Sequence, residues 1–288
     1  RGLKIDDFAH RLSFFFNAHM DFFEEIAKYR AARRIWANRL KDKYGAKNES
    51  SLKLKFHTQT AGCSLTAQQP ENNIVRTAFE AMSAVLGGTN SLHTNSLDET
   101  LALPSEKAAK IALRTQQILA FETGVPNVAD PLGGSWYIEE LTDKLEKQAI
   151  RYFEEIQEMG GTVQAIEDGY FQKKIAESAS IYQESVDSKE RIIVGVNDFV
   201  EEDEELDIEI LKISRDAQDT QEDKIKTLRK SRDEKTLQEK MKKLSDACKK
   251  DLNLVPFLIE VAEHGGTVGE IVEVMKKVYG EWEESFGI

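Results

Sequence analysis

The 288-residue sequence predicts an α/β fold, and three observations predict it. Short stretches of alternating residues recur three times in the first hundred positions, amphipathic helical stretches separate them, and small polar residues cluster where strands should end and helices begin. That β-α-β-α-β-α rhythm is the pattern of a parallel sheet covered by helices.

The first strand is expected over Arg11–Phe16, with Leu12, Phe14 and Phe16 on one face and Arg11, Ser13 and Phe15 on the other. Asp21 then suits an N-cap, and Phe22, Ile26, Tyr29, Trp36 and Leu40 recur at helical spacing until Gly45. A second strand is expected over Leu52–Gln59, with Leu52, Leu54 and Phe56 on one face and Lys53, Lys55, His57 and Gln59 on the other. The next helix runs from about Pro70 to Leu86, with Ile74, Ala78, Ala81 and Val85 on its apolar side and Gly87-Gly88 closing it. Thr89–Asn95 reads as a third strand with Ser91, His93 and Asn95 on a common face. Pro104 is expected in the first turn of a helix that continues to about Gly124.

Beyond the loop at Val125–Ser135 the sequence turns helical and strongly charged. Gly160-Gly161-Thr162-Val163 and Gly265-Gly266-Thr267-Val268 read as helix-helix corners in which the glycines end one helix and the threonine caps the next. Neither has the spacing or the lysine of a phosphate-binding loop. Ile192–Val196 is a candidate short strand, Glu201–Glu205 a solvated charge run, and residues 218–250 exposed helices without a strict heptad.

Composition bounds the function. A hydrophobic content of 40% supports a buried core, and a net charge of −12 with interleaved basic residues argues against a nucleic acid partner. Two distant cysteines, Cys63 and Cys248, suggest neither a disulfide framework nor a zinc site, and no apolar run approaches bilayer length. Cytoplasmic, reduced thiols are the expectation. Arg1 stands where a start methionine would, so a preceding segment is also expected.

The strands are unusual because one face of each is largely polar, whereas parallel strands covered on both sides are near-continuous apolar runs. Two arrangements accommodate this. In a (β/α)8 barrel, Arg11, Ser13, His57, Gln59, Ser91, His93 and Asn95 would point into a wet interior able to thread a polar ligand; in an open sheet they would face solvent.

His57-Thr58-Gln59-Thr60-x-Gly62, Asn72-Asn73-x-x-Arg76-Thr77, Ser91-Leu92-His93-Thr94-Asn95, Val128-Ala129-Asp130-Pro131 and Val194-Gly195-Val196-Asn197 resemble motifs of one family. So do Arg11-Leu12-Ser13-Phe14-Phe15 and Phe22-Phe23-x-x-Ile26-Ala27-x-x-Arg30-Ala31-Ala32-Arg33. The family is the large, acyl-CoA-binding subunit of the adenosylcobalamin-dependent acyl-CoA mutases, with methylmalonyl-CoA mutase as type member. The resemblance implies that residues 1–134 are the C-terminal segment of an acyl-CoA-binding (β/α)8 (TIM) barrel, its last strands only, and that residues 135–288 are a helical extension. It implies a radical rearrangement of methylmalonyl-CoA and succinyl-CoA, an isomerase reaction, in a barrel threaded by the pantetheine arm of coenzyme A.

Carried over by position, the resemblance makes Arg11, Leu12 and Ser13 acyl-CoA contacts. It makes cofactor contacts of Gln59 at the corrin-adenosyl face, His57 one pleat deeper, Gly62 where the backbone approaches the ring, and Ser91 in the barrel interior. Asn95 and Glu99 would hold the ribose hydroxyls of the adenosyl group. From the residues alone, Arg11 could pair with an acid, His57 and His93 could be satisfied interior histidines, and Ser96-x-x-Glu99 fits a capping box.

Cys63 stands where many methylmalonyl-CoA mutases have tryptophan, which leaves isobutyryl-CoA and 2-hydroxyisobutyryl-CoA as alternative substrates. No Asp-x-His-x-x-Gly cobalt-ligating motif occurs in the sequence. The cobalamin-binding domain is therefore expected on another subunit or segment, the acid-base and acyl-recognising residues upstream of Arg1, and no activity in this chain alone. A reading from another class is a non-catalytic scaffold that docks a B12-binding subunit.

Overall fold

The three strands pair in parallel in the order β1-β2-β3, with β1 at Phe14–Ala18, β2 at Phe56–Thr60 and β3 at Ser91–His93. The structure is a computed structural model that describes residues 2–201, 208, 210–212 and 214–283. Its helices are α1 (Ile5–Phe8), α2 (Phe22–Asp42), α3 (Glu49–Leu52), α4 (Asn72–Leu86), α5 (Glu106–Phe121), α6 (Trp136–Glu158), α7 (Thr162–Glu167), α8 (Tyr170–Asp187), α9 (Arg215–Ser231), α10 (Glu234–Lys249), α11 (Val255–Glu263) and α12 (Val268–Tyr279). They form two compact units, Arg1–Leu211 and Lys212–Ile288.

Each strand is shorter than the alternation suggests. Arg11 ends a 3-10 turn (Ala9–Arg11), and Leu12 and Ser13 lead into β1 rather than belonging to it. Leu52 closes α3, so the apolar-polar alternation of residues 52–55 runs through a helical turn and an extended link before β2 begins at Phe56. Tertiary pairing, not local pattern, sets these starts: Phe14 N donates to Lys55 O at 2.9 Å, and Phe14 and Phe56 are register partners.

Asp21 caps α2 as its sequence position predicts, accepting from the Glu24 amide. α2 lies across the sheet and buries Ile26, Ala27 and Tyr29. The Tyr29 ring stacks on Phe56 with centroids 5.2 Å apart, and Phe16 meets both rings edge-on. Ala18, Leu54 and Ala84 complete this cluster. Gly87, just past α4, is required by it, since a Cβ there would stand 2.3 Å from Tyr29 Cδ2.

α4 departs from the expected apolar face. Its buried residues include Asn73, Arg76, Thr77 and Glu80, while Val75 and Phe79 are exposed. The buried polar groups of Asn73 and Arg76 are satisfied by loops. Asn73 binds the Thr66 backbone at 3.0 and 2.8 Å and Leu97 O at 2.9 Å; Arg76 donates to Thr66 Oγ1, Asn73 Oδ1 and, at 2.7 Å, Val194 O. α5 starts after Pro104, at the N-cap Ser105, which accepts from the Ala108 amide.

α6 packs on α2 through Arg30. Its guanidinium donates to Asp130 at 3.0 and 3.2 Å, to Glu139 at 2.7 Å and to Thr142 at 3.1 Å. Between α6 and α7 the cap is Gly161 at φ +105°, so Thr162 is the first helical residue and not the cap expected of it. The equivalent corner of the second unit matches expectation, because Thr267 caps α12 in a capping box with Glu270. Ile192–Val196 is a turn with one isolated bridge, Val194 to Asp198, and not a strand. Glu201 is exposed, and residues 202–205 of the charge run lie outside the described residues.

In the second unit α10 buries Leu237, Met241, Leu244 and Cys248 against α11 and α12. Arg232 binds Glu270 with both terminal nitrogens, at 2.8 and 2.7 Å. No helix among the described residues is long and apolar enough to cross a membrane.

Candidate ligand face at the strand ends

Strand pleating sends alternate side chains to opposite faces, so register decides which residues meet. One row is Phe15, His57 and Ser91; the next is Asn17, Gln59 and His93. The opposite face carries Ala18, Phe56, Thr58 and Thr60, all buried under the helices. The sheet is thus two-sided: apolar and threonine residues toward α2 and α4, a polar and aromatic face left open. Phe15 is 60% exposed on that face, and Asn17, Ser91 and His93 are exposed beside it.

His57 and Ser91 meet across the strands, Nδ1 to Oγ at 2.7 Å, and the Phe15 ring tilts against the imidazole with centroids 5.1 Å apart. The imidazole is therefore held rather than free to swing. Gln59, half-buried one pleat further along, makes no side-chain hydrogen bond among the described residues. It presents an amide with both donor and acceptor available.

At the C-terminal ends of the strands the chain tightens. The Ala61 amide donates to Ala18 O at 2.8 Å, and Gly62–Ser64 forms a 3-10 turn closed by Ser64 Oγ donating to Ala61 O at 2.7 Å. Thr60 Oγ1 donates to Asn95 Oδ1 and accepts from the Asn95 amide, both at 2.9 Å. Asn95 Nδ2 donates to Glu99 Oε2 at 2.8 Å, and Ser96 N donates to Glu99 Oε1 at 2.7 Å. A Cβ at Gly62 would stand 3.1 Å from Asn95 Nδ2. Gly62, Asn95 and Glu99 are therefore one cluster.

The sequence-derived candidates thus fall into three groups. His57, Gln59 and Ser91 share the open face. Gly62, Asn95 and Glu99 sit together beyond the strand ends; Asn95 is buried and does not share the Ser91–His93 face expected for it, because the chain turns after β3. Arg11, Leu12 and Ser13 are exposed at the opposite, N-terminal end of the sheet, where Arg11 Nε reaches only His10 Nε2 at 3.4 Å. Five-residue strands separate the two ends by roughly 16 Å.

Phe15 and Asn17 also belong to the open face. Alternation alone puts Phe15 there, whereas Asn17 joins it because β1 runs on to Ala18, past the Phe16 end that the alternation predicts. Asn17 O accepts from Tyr29 Oη at 2.8 Å and Lys28 Nζ at 2.7 Å, which fixes the end of β1 against α2.

Beside the strand ends opens a cavity of about 900 Å³, lined among others by His19, Glu25, Cys63, Tyr182 and Arg191. Burial lowers the His19 pKa and outweighs the raising influence of Glu25. Cys63 is exposed and Cys248 buried, both as free thiols.

A family profile described as methylmalonyl-CoA mutase matches residues 1–281. The chain is 45% identical over 285 residues to the 2-hydroxyisobutanoyl-CoA mutase large subunit of Aquincola tertiaricarbonis, covering 99% of this chain and 51% of that one. It is 46% identical over 284 residues to methylmalonyl-CoA mutase of Rhizobium meliloti (strain 1021), covering 98% of this chain and 40% of that one. With the mitochondrial methylmalonyl-CoA mutase of Homo sapiens it shares 45% identity over 282 residues, 97% of this chain and 38% of that one. The chain therefore spans about half or less of the length of these relatives. Matched along nearly all of its own length, it belongs to the methylmalonyl-CoA mutase family.

Proposed function

We propose that the chain is part of an adenosylcobalamin-dependent mutase that interconverts methylmalonyl-CoA and succinyl-CoA, and that it supplies the last strands of the acyl-CoA-binding (β/α)8 barrel. On this reading residues 1–134 are the barrel segment and 135–288 a helical extension. The observation that carries it is the open face of Phe15, Asn17, His57, Gln59, Ser91 and His93. A sheet that packs helices on one side and leaves a polar row on the other suits the wall of a ligand-threaded barrel. β1 and β3 are both edges of the described sheet, as a barrel segment would have them.

The two ends of the sheet take different work. Arg11 and Ser13 offer a guanidinium and a hydroxyl for the phosphate or carbonyl oxygens of an acyl-CoA, with Leu12 between them. His57 and Ser91 line the path between the ends.

Adenosylcobalamin, implied by the family, fits the other end. The glycine at position 62, whose missing Cβ makes room for Asn95 Nδ2, would also let the backbone come close to a flat ring, and the uncommitted Gln59 amide lies three residues earlier in the chain. Asn95 and Glu99 would hold ribose hydroxyls, since a carboxylate that accepts two hydrogen bonds keeps lone pairs for more. When bound, the group supplies the radical chemistry of the rearrangement. The role of this chain is orientation and exclusion of water. Its partners would be the rest of the barrel and a cobalamin-binding domain or small subunit, in the cytoplasm.

One observation favours a second substrate, 2-hydroxyisobutyryl-CoA or its relative isobutyryl-CoA: the match to the 2-hydroxyisobutanoyl-CoA mutase large subunit is as strong as those to the methylmalonyl-CoA enzymes. Co-expression with candidate barrel and cobalamin-binding partners, then assay with adenosylcobalamin and each acyl-CoA, tests both. Succinyl-CoA from methylmalonyl-CoA supports the first reading. An assembled complex that converts none of the substrates contradicts both.

A further inference from the structure

We propose that Glu80 is a positioning residue for the turn Ala61–Ser64, protonated in the resting structure, and that its ionisation displaces this turn. Glu80 lies in the middle of α4, fully buried, and neither carboxyl oxygen has a hydrogen-bond partner. It faces Ser64 and the Ala61 backbone on the turn, Glu25 and Tyr29 on α2, and Arg76 on its own helix.

The hydroxyl and backbone amide donors of this ring are committed elsewhere, and the Arg76 guanidinium serves three other acceptors. Ser64 Oγ donates to Ala61 O, the Ala61 amide to Ala18 O, Tyr29 Oη to Asn17 O, and Arg76 to Thr66, Asn73 and Val194. Lys28 pairs with Glu25. A buried carboxylate without donors is strongly disfavoured, and a neutral carboxyl costs much less there. Burial first, with the like charge of Glu25 adding to it, pushes the Glu80 pKa up to about 7.

Ionisation changes what the site needs. The nearest groups able to serve the anion are the Ser64 hydroxyl and the Ala61 amide. The first must leave Ala61 O, opening the 3-10 turn; the second must leave Ala18 O, releasing the turn from the end of β1. Because the folded pKa lies above the unfolded one, the folded chain holds more protons, and stability falls as pH rises from about 4.5 to about 7. The turn carries Gly62 and Cys63. That it meets a corrin rests on the proposed function; its coupling to Glu80 does not.

Cys63 is an exposed native reporter on the turn, and Cys248 is buried. The full chain, labelled at Cys63 with a trifluoroethylthio group, is followed by fluorine NMR between about pH 5.5 and 8.5 without cobalamin. The Cys63 resonance should titrate with a midpoint near 7. Glu80→Gln should abolish the titration, Ser64→Ala should raise its midpoint by removing a donor to the anion, and His19→Asn should leave it in place although His19 lines the same cavity. A resonance that does not titrate overturns the proposal, as does a midpoint that persists in Glu80→Gln or disappears in His19→Asn. If Glu80→Gln does not fold, an unchanged midpoint in Ser64→Ala overturns it.

Discussion

Asn95 donates its side-chain amide to Glu99 at 2.8 Å while the other carboxylate oxygen of Glu99 accepts the Ser96 amide, so one acid both closes the turn after β3 and orients the asparagine. Thr60 completes the arrangement from β2. The hold of Glu99 on the Ser96 amide and the ligand role proposed for it are compatible: the turn is what brings the two side chains to the strand ends.

Asn95→Ala should destabilise the first unit by about 1–3 kcal/mol, because it leaves the buried Thr60 hydroxyl without its acceptor. Glu99→Gln keeps the shape and part of the hydrogen bonding, so its cost should be smaller. Denaturant unfolding of the three chains compares them.

The Tyr29–Phe56 stack sets a second expectation. Gly87→Ala should cost about 1–3 kcal/mol, since the new methyl group drives into Tyr29 with no open space to receive it. Phe56→Ala should cost about 3–5 kcal/mol by leaving a cavity beneath the same ring. A near-neutral Gly87→Ala would show that Tyr29 is not held where the stack places it.

Acid sensitivity of the second unit follows from Glu270, whose pKa is lowered to about 2, chiefly by Arg232. A carboxylate held below its ordinary range contributes stability above pH of about 4.5 and loses it as pH falls toward about 2. Protection factors of the α9–α12 amides, taken against the intrinsic exchange rate at each pH, should therefore fall over that window. Glu270→Gln should flatten the dependence and cost about 1.5–3 kcal/mol at neutral pH, the range for hydrogen bonds to charged groups.

Much of the scaffold was legible because it rests on local signals. Asp21 at the start of α2, Gly87-Gly88 after α4 and the Thr267–Glu270 box are written in a few adjacent residues. The strand starts were not, because residues 52–55 alternate while belonging to no strand, and only pairing with β1 fixes Phe56 as the first strand residue. The polar underside of α4 was equally hidden. Asn73 and Arg76 are buried because loops some 7 to 118 residues away supply their partners, which helical periodicity does not see. Of the candidate site, His57, Gln59 and Ser91 followed from alternation, whereas the place of Asn95 depended on a turn.

Gln59 offers the most direct test of the ligand face. Its side chain makes no hydrogen bond among the described residues and stands over the open side of the sheet, so Gln59→Ala should leave unfolding stability within about 0.5 kcal/mol. On the proposed function, the adenosylcobalamin affinity of a complex assembled with a cobalamin-binding partner should instead fall about 3- to 10-fold, the worth of one hydrogen bond. Titration of the wild-type and Gln59→Ala complexes with adenosylcobalamin, followed by its visible absorption, measures the difference. A weaker variant of unchanged stability is the predicted result; equal affinity in two fully assembled complexes would contradict the placement of the cofactor against this face.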